Sequence, residues 1–390
     1  MSSNQQRRLI VGVNPGSTND EYWAADVDTF LDTGEFVARQ QVPVDRNATA
    51  DDHAELFEAF VLQNDQFSDQ EVVVVGTRGA ILPGALPGVT LITQSIVDLI
   101  NAGRFATVHP CNTAPVIGFQ LAEDLNELDR VMEAPIRDVR TYFADPISSV
   151  EPDYLPEATI CGHPGLRIPG YAHYLNMREV IRRHAAARSI PVDQLHCILV
   201  HAGGGISVAA VKYGRIVAVN NANEAGPFTD RVGGVPTLEF LRWVYEQVAA
   251  GKQLEHLQAY LTKSCGLPGL TGGLDYPAAL AKAAGGDADT KRILSAMYFH
   301  IAEEIYKRVV VFTGDATISE NSSLDLVITG GMAHAPEFTE GIFVWLNGNG
   351  RFHGDVMFRY PGSFEAESLT RQVIQAYHGQ VPVHEYQYPG

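Results

Sequence analysis

An α/β fold built as two domains of similar plan is what this 390-residue sequence predicts, on three observations. Apolar, strand-like runs alternate with helical patterns along the chain, as in sheets covered by helices. Three of the runs end in glycine-containing loops: RLIVGVNPGST at 8–18, CILVHAGGGISVAAVKYGRIVAV at 197–219 and LDLVITGGMA at 324–333. The first two share an order of parts, strand, loop and hairpin, and lie about 190 residues apart, which suggests a duplicated architecture.

The elements follow in order. RLIVG is continuously apolar, so it reads as a strand buried on both faces. After its loop, YWAADV and EFVARQQV flank DTG and predict a hairpin. EVVVVGTRGAI (71–81) is a further strand and loop, and ISVAAV and RIVAV flank KYG as a second hairpin. Apolar residues at helical spacing predict helices over 50–63, 93–102, 116–131, 171–188, 237–250, 288–312 and 364–379. The stretch 288–312 is apolar enough to pack into a core or to face a partner. Segment 145–170, rich in proline and glycine, is the candidate crossing between domains.

Composition narrows the function. Hydrophobic residues make up 45% of the chain and charged residues 19%, enough for large cores and too few charges for a disordered chain. A net charge of −18 with no Lys/Arg run argues against nucleic acid as a partner. An anionic substrate must then be drawn in by a few local cations near the glycine loops. The cysteines, Cys111, Cys161, Cys197 and Cys265, form no CxxC pair, so zinc-finger and disulfide frameworks are disfavoured and a reduced, cytoplasmic setting fits. No signal-like or membrane-length apolar segment is seen, and no membrane partner is expected.

Glycine lets backbone N–H groups approach an anion closely. NPGST adds an amide and two hydroxyls, HAGGGIS three consecutive glycines and TGGMA two. None fits the P-loop pattern, and none fits the dinucleotide fingerprint that opens a helix. The three loops together resemble the two phosphate motifs and the adenosine motif of the acetate and sugar kinase/Hsp70/actin superfamily. Within it the chain resembles butyrate kinase and the other short-chain carboxylate kinases. RGAILPGALPGVTLITQSIVDL, HPCNTAPVIGFQLA, HAGGGISVAAVKYGRIVAVNNANEAGPFTDRVGGVP and YPGSFEAESL carry the resemblance through nearly the whole chain.

That resemblance implies two actin-like ATPase domains, ribonuclease H-like in fold, with a cleft between them. Residues 1–165 with 372–390 would form the acyl-substrate side and hold the first phosphate loop; residues 166–371 would bind the nucleotide. The implied reaction moves the γ-phosphoryl of ATP to a short-chain carboxylate, giving acyl phosphate and ADP, reversibly and with Mg2+. A homodimer or larger homo-oligomer is implied as well. A nucleotide-binding relative with weakened catalysis, and a sugar or polyol kinase of the same superfamily, are the alternatives.

By the same resemblance Arg78 grips the carboxylate or the migrating phosphoryl, and Arg231 stabilises the transition state, where a guanidinium can bond two oxygens at once. His173 donates to the phosphoryl, and His201 sits beside the phosphates. Asn14, Gly16, Ser17 and Thr18 form the first phosphate loop, Gly203, Gly204 and Gly205 the second, and Gly330 and Gly331 the adenosine loop. Glu365 takes the magnesium directly or through water, and Asp145 orients a ligand to it. RGAILPGALPGV and HPCNTAPVIG supply either an apolar wall for the acyl chain or ordinary core. One departure stands out: the family pattern has a lysine where this chain has Glu21, directly after Asp20. These acids either point into the cleft, to ligate magnesium or cripple transfer, or point to solvent. DRVGGVP and NEAGPF also depart from the pattern and mark a divergent member.

Overall fold

The computed structural model describes residues 7–15, 19–45, 48–62, 71–103, 110–131, 138–149, 152–222, 229–313, 324–346 and 357–388. The chain forms two compact units, Met1–Val150 with Phe364–Gly390, and Glu151–Ser363. Elements are numbered along the chain.

The first unit is a seven-stranded sheet with helices on both faces. Its strands are β1 (Arg8–Asn14), β2 (Asn19–Asp26), β3 (Ala38–Pro43), β4 (Glu71–Arg78), β5 (Val89–Leu91), β6 (Arg140–Ala144) and β12 (Val383–Glu385), in the order β12-β5-β6-β4-β1-β2-β3. β1 pairs parallel with β4 and antiparallel with β2, which pairs antiparallel with β3. The predicted hairpin is therefore present, although its first strand begins at Asn19 and so takes in both Asp20 and Glu21. A four-residue helix α1 (Phe30–Thr33) lies between its strands. Helices α2 (Ala50–Leu62) and α4 (Ala114–Val131) cover one face, through Phe57, Phe60, Ile117 and Leu121. Helix α12 (Glu365–Tyr377) packs on β1, β4 and β6, and α3 (Gln94–Asn101) packs beside α4. Ala80, Leu82 and Ala85 sit in a buried cluster with Ile92, Ile96 and Phe143, so these side chains serve as core.

A side-chain demand fixes one glycine here. Gly12 faces Trp23 across the β1–β2 pair, and a Cβ on Gly12 would lie 2.1 Å from the indole. The indole fills that space and its Nε1–H donates to Thr370 Oγ1 on α12 at 2.8 Å.

The second unit has a five-stranded sheet in the order β11-β10-β7-β8-β9: β7 (Cys197–Ala202), β8 (Ile206–Lys212), β9 (Arg215–Val219), β10 (Asp325–Gly330) and β11 (Met357–Pro361). β7 to β9 form an antiparallel meander, and β7, β10 and β11 run parallel. The first unit repeats this plan, since β1, β2, β3, β4 and β6 take the places of β7, β8, β9, β10 and β11 with the same strand senses. Helix α5 (Tyr174–Ala187) packs against β7 and β10. The long α10 (Ala288–Val309) packs on β7 and β8, with α8 (Gly266–Thr271), α9 (Tyr276–Ala284) and α11 (Pro336–Leu346) around it. Met297, Ile301 and Ile305 of α10 belong to the core. Helices α6 (Thr237–Ala249) and α7 (Leu254–Lys263) complete the unit.

Candidate active site

Each unit brings a set of the expected residues together. In the first, the parallel pairing of β1 with β4 sets Val13 opposite Thr77, so Asn14 and Arg78 emerge side by side at the strand ends. Glu365 opens α12 and reaches both. Asn14 Nδ2 donates to Glu365 Oε2 at 3.0 Å, Arg78 Nη2 lies 3.3 Å from Glu365 Oε1, and Arg78 Nη1 donates to Asn14 Oδ1 at 3.4 Å. The carboxylate is buried and sits in the first turn of α12, where the helix dipole favours a negative charge. Gly16, Ser17 and Thr18 lie outside the described residues.

Asp145 is held by different partners. It follows β6 with φ of 43° and is buried. Its Oδ1 accepts the Gly88 backbone N–H at 2.8 Å, and its Oδ2 accepts Gln372 Nε2 at 2.7 Å. Gln372 lies two turns beyond Glu365 on the same helix, so α12 steadies both acids. Cys111 is buried nearby, and burial pushes its thiol up to about 12, with Arg78 pulling down and Glu365 adding to the rise. It stays a thiol and is not a nucleophile.

Asp20 and Glu21 go to opposite faces of β2, because successive strand residues alternate. Asp20 is fully buried and accepts the Tyr22 hydroxyl at 2.7 Å, with His53 Nδ1 at 2.6 Å. Glu21 is 9% exposed and pairs with Arg39 of β3, whose Nη2 lies 2.7 Å from Oε1. Arg39 also binds Glu367 of α12 at 2.9 Å. Burial pushes the Glu21 carboxyl above its usual range; Arg39 opposes that, and Glu365 and Glu367 add to it. Neither acid faces solvent, and a guanidinium has been brought in beside the second.

In the second unit His201 is the penultimate residue of buried β7, and Gly203, Gly204 and Gly205 turn the chain into β8. The turn is closed by Gly203 N–H to Gly205 O at 3.1 Å. Residues 229–231 dock on it. The Thr229 hydroxyl donates to the carbonyls of Gly203 and Gly204, and the Asp230 N–H donates to Gly204 O at 3.1 Å. A Cβ on Gly204 would lie 2.8 Å from Asp230 Oδ2, and one on Gly205 would lie 3.6 Å from Arg231 Nε. The predicted arginine is thus held against the second glycine loop, with Nη1 donating to Thr262 O at 2.5 Å. His173 directly precedes the first turn of α5 and stacks on His201, ring centroids 3.9 Å apart. Gly330 ends β10 at φ 92° directly beside Ala202. His201, His173, Arg231 and the glycines of both loops therefore share one end of this sheet.

A sequence profile of the acetokinase family matches residues 3–335. The chain belongs to the acetokinase family. It is 29% identical over 312 residues to the probable butyrate kinase 2 of Caldanaerobacter subterraneus, covering 80% of this chain and 79% of that one. It is 26% identical over 387 residues to butyrate kinase 1 of Clostridium acetobutylicum, covering 97% and 99%. In fold it is similar to a propionate kinase from Francisella tularensis, with TM-score 0.71 at 15% identity over 94% of this chain and 99% of that one. The acetate kinase of Porphyromonas gingivalis gives 0.68 at 16% identity over 94% and 99%. The repeated sheet order is that of the duplicated actin-like ATPase fold.

Within this acetokinase-family chain, no group of three or more His, Cys, Asp or Glu among the described residues could hold a metal unaided. Magnesium that travels with a nucleotide keeps waters and phosphate oxygens and asks the protein for one or two carboxylates. Buried Glu365 beside Asn14 fits that requirement. No helix of the described residues is long and apolar enough to cross a membrane, and all four cysteines are free thiols. Three residues beyond the sequence expectations belong to the site's support: Thr229, Arg39 and Asn176. Asn176 carried a signal, since it lies three residues after His173 and so on the same helix face. Arg39 carried one too, as the diagonal cross-strand neighbour of Glu21 once the hairpin is drawn.

Proposed function

We propose that this protein transfers the γ-phosphoryl of ATP to a short-chain carboxylate, giving acyl phosphate and ADP, and runs the reaction in both directions. The observation that carries this reading is Arg231 held against the HAGGG loop by Thr229 and Asp230. The glycine loops and His201 of the second unit take the nucleotide phosphates through N–H groups, and the first unit handles the carboxylate through Arg78. A carboxylate oxygen attacks the γ-phosphorus. The bond from that phosphorus to the bridging oxygen breaks, and ADP leaves with the oxygen and its electron pair. The acceptor has no proton to lose, so no general base is required. Catalysis consists of alignment and charge neutralisation on the migrating group, which Arg231 and His173 supply. Glu365 with Asn14 would hold Mg2+, which when bound offsets charge on the phosphates.

Glu21, an acid near the first phosphate loop, is what favours a relative with weakened catalysis. The ion pair with Arg39 supports the active reading instead, because the carboxylate is turned to a guanidinium and is not left as an unpaired charge. A cytoplasmic setting suits the free thiols, and a homodimer is the expected assembly. The test is purified protein with ATP, magnesium and straight-chain carboxylates of about two to six carbons, with hydroxylamine to trap acyl phosphate as hydroxamate. Arg231→Ala is expected to lower kcat by ~10²–10³ with the fold intact. Absence of hydroxamate with every acid in the series would refute the assignment.

A further inference from the structure

We propose that Asn176 fixes the tautomer of His201, so that the ring keeps its single proton on Nε2 and presents an N–H donor to the HAGGG loop. The role given to that donor rests on the function proposed above; the tautomer itself does not.

The geometry is specific. His201 is 7% exposed and Asn176 is fully buried. Asn176 Nδ2 lies 2.7 Å from His201 Nδ1, and the same nitrogen lies 3.3 Å from Thr329 Oγ1. An amide nitrogen has two hydrogens and no acceptor capacity. It spends one hydrogen on each neighbour, so Nδ1 of His201 must accept. A ring that accepts at Nδ1 is neutral and holds its proton at Nε2. The Thr329 hydroxyl, relieved of donating to Asn176, points its own hydrogen toward Gly362 O at 3.5 Å.

Nε2 faces the loop: a side chain beginning on Gly203 would start 3.4 Å from it. A side chain at that glycine would crowd this nitrogen. His173 stacks on a face of the ring at an interplanar angle of 15°, and its own Nδ1 meets Ser207 Oγ at 2.9 Å. The ring is thus clamped in position by stacking and in protonation state by the amide.

The arrangement also joins two loops. Thr329 sits beside His201 on the neighbouring parallel strand and directly precedes Gly330 and Gly331. Asn176 therefore ties the residue that starts the TGG turn to the histidine that starts the HAGGG turn. It is a positioning residue, since it acts through His201.

The tautomer is read in the free protein with 15N-labelled histidine by long-range 1H–15N correlation near neutral pH. His201 is assigned by its loss in His201→Gln. The expected pattern is a pyridine-type Nδ1 and a protonated Nε2. Asn176→Asp puts an acceptor opposite Nδ1 and is expected to move a proton there. Asn176→Leu removes the constraint and is expected to lower kcat about tenfold or more while the carboxylate KM changes less than about twofold. A proton on Nδ1 in the unmodified protein overturns the proposal and needs no variant to fold. Full kcat in a folded Asn176→Leu protein overturns it as well. If the unmodified protein makes no acyl phosphate, the assigned reaction fails, while the spectrum still decides the tautomer.

Discussion

At the scale of single residues, Glu21 shows how a chemically awkward choice is absorbed. A buried carboxylate whose folded pKa lies above its ordinary value of 4.5 binds its proton more tightly in the fold than in the unfolded chain. Its contribution to stability is therefore full below the unfolded value and is lost as pH rises through the raised folded one. Replacing Glu21 with Gln removes that loss, and Arg39 keeps Glu367 as a partner. We expect the Tm of Glu21→Gln relative to the parent to become more positive between about pH 4 and about pH 8, measured by calorimetry. A difference that is flat or falls with pH contradicts the burial argument. The sequence left the direction of Asp20 and Glu21 open, and two-residue alternation along β2 decides it, with one acid toward His53 and the other toward Arg39. Other contacts of the site were not readable from spacing. Asn14 and Glu365 lie 351 positions apart, and only the docking of α12 on β1 and β4 joins them.

At the scale of elements, the strands that end in glycine loops were plain in the sequence because their burial on both faces leaves no polar alternation. The meander β7 to β9 and helices α2, α5 and α10 were equally plain from their periodicity. Helices α8 and α9 were not, because GLPGLTGGLDYP reads as breakers: α8 contains Gly269 and Pro268, and α9, which begins at Tyr276, has Pro277 in its first turn. Asp275 caps α9 by accepting the Ala278 N–H at 2.9 Å, so Asp275→Ala is expected to cost about 1 kcal/mol, read from denaturant midpoints at constant slope. β5 and β12 are three residues each, too short to carry a pattern, and they extend the sheet beyond β6. The turn after β10 offers a sharper test. A Cβ on Gly330 would lie 2.3 Å from Ala202 O, on a residue already at φ 92°, whereas nothing lies within 4 Å of one on Gly331. Gly330→Ala is expected to lose more than the ~1–3 kcal/mol of an unfavourable backbone conformation. Gly331→Ala is expected to leave the Tm nearly unchanged, and equal losses for both would contradict the packing described at that turn.

At the scale of the whole molecule, the duplication foreseen from two strand–loop–hairpin stretches proves to be a repeat of five strands in the same order and sense. Its fifth members, β6 and β11, were silent in the sequence. They are short strands whose place is fixed only by parallel pairing with β4 and β10. The strongly negative balance of the chain makes the few arginines at the loop ends the means of attracting an anion. The first unit is also discontinuous: it draws α12 and β12 from the end of the chain, and Trp23 near its beginning is latched to Thr370. During synthesis on the ribosome, the half made first must wait for the half made last. The strands of the second unit all precede α12 and β12 in the chain, so its sheet can pair before the first unit's sheet has its last strand and its covering helix.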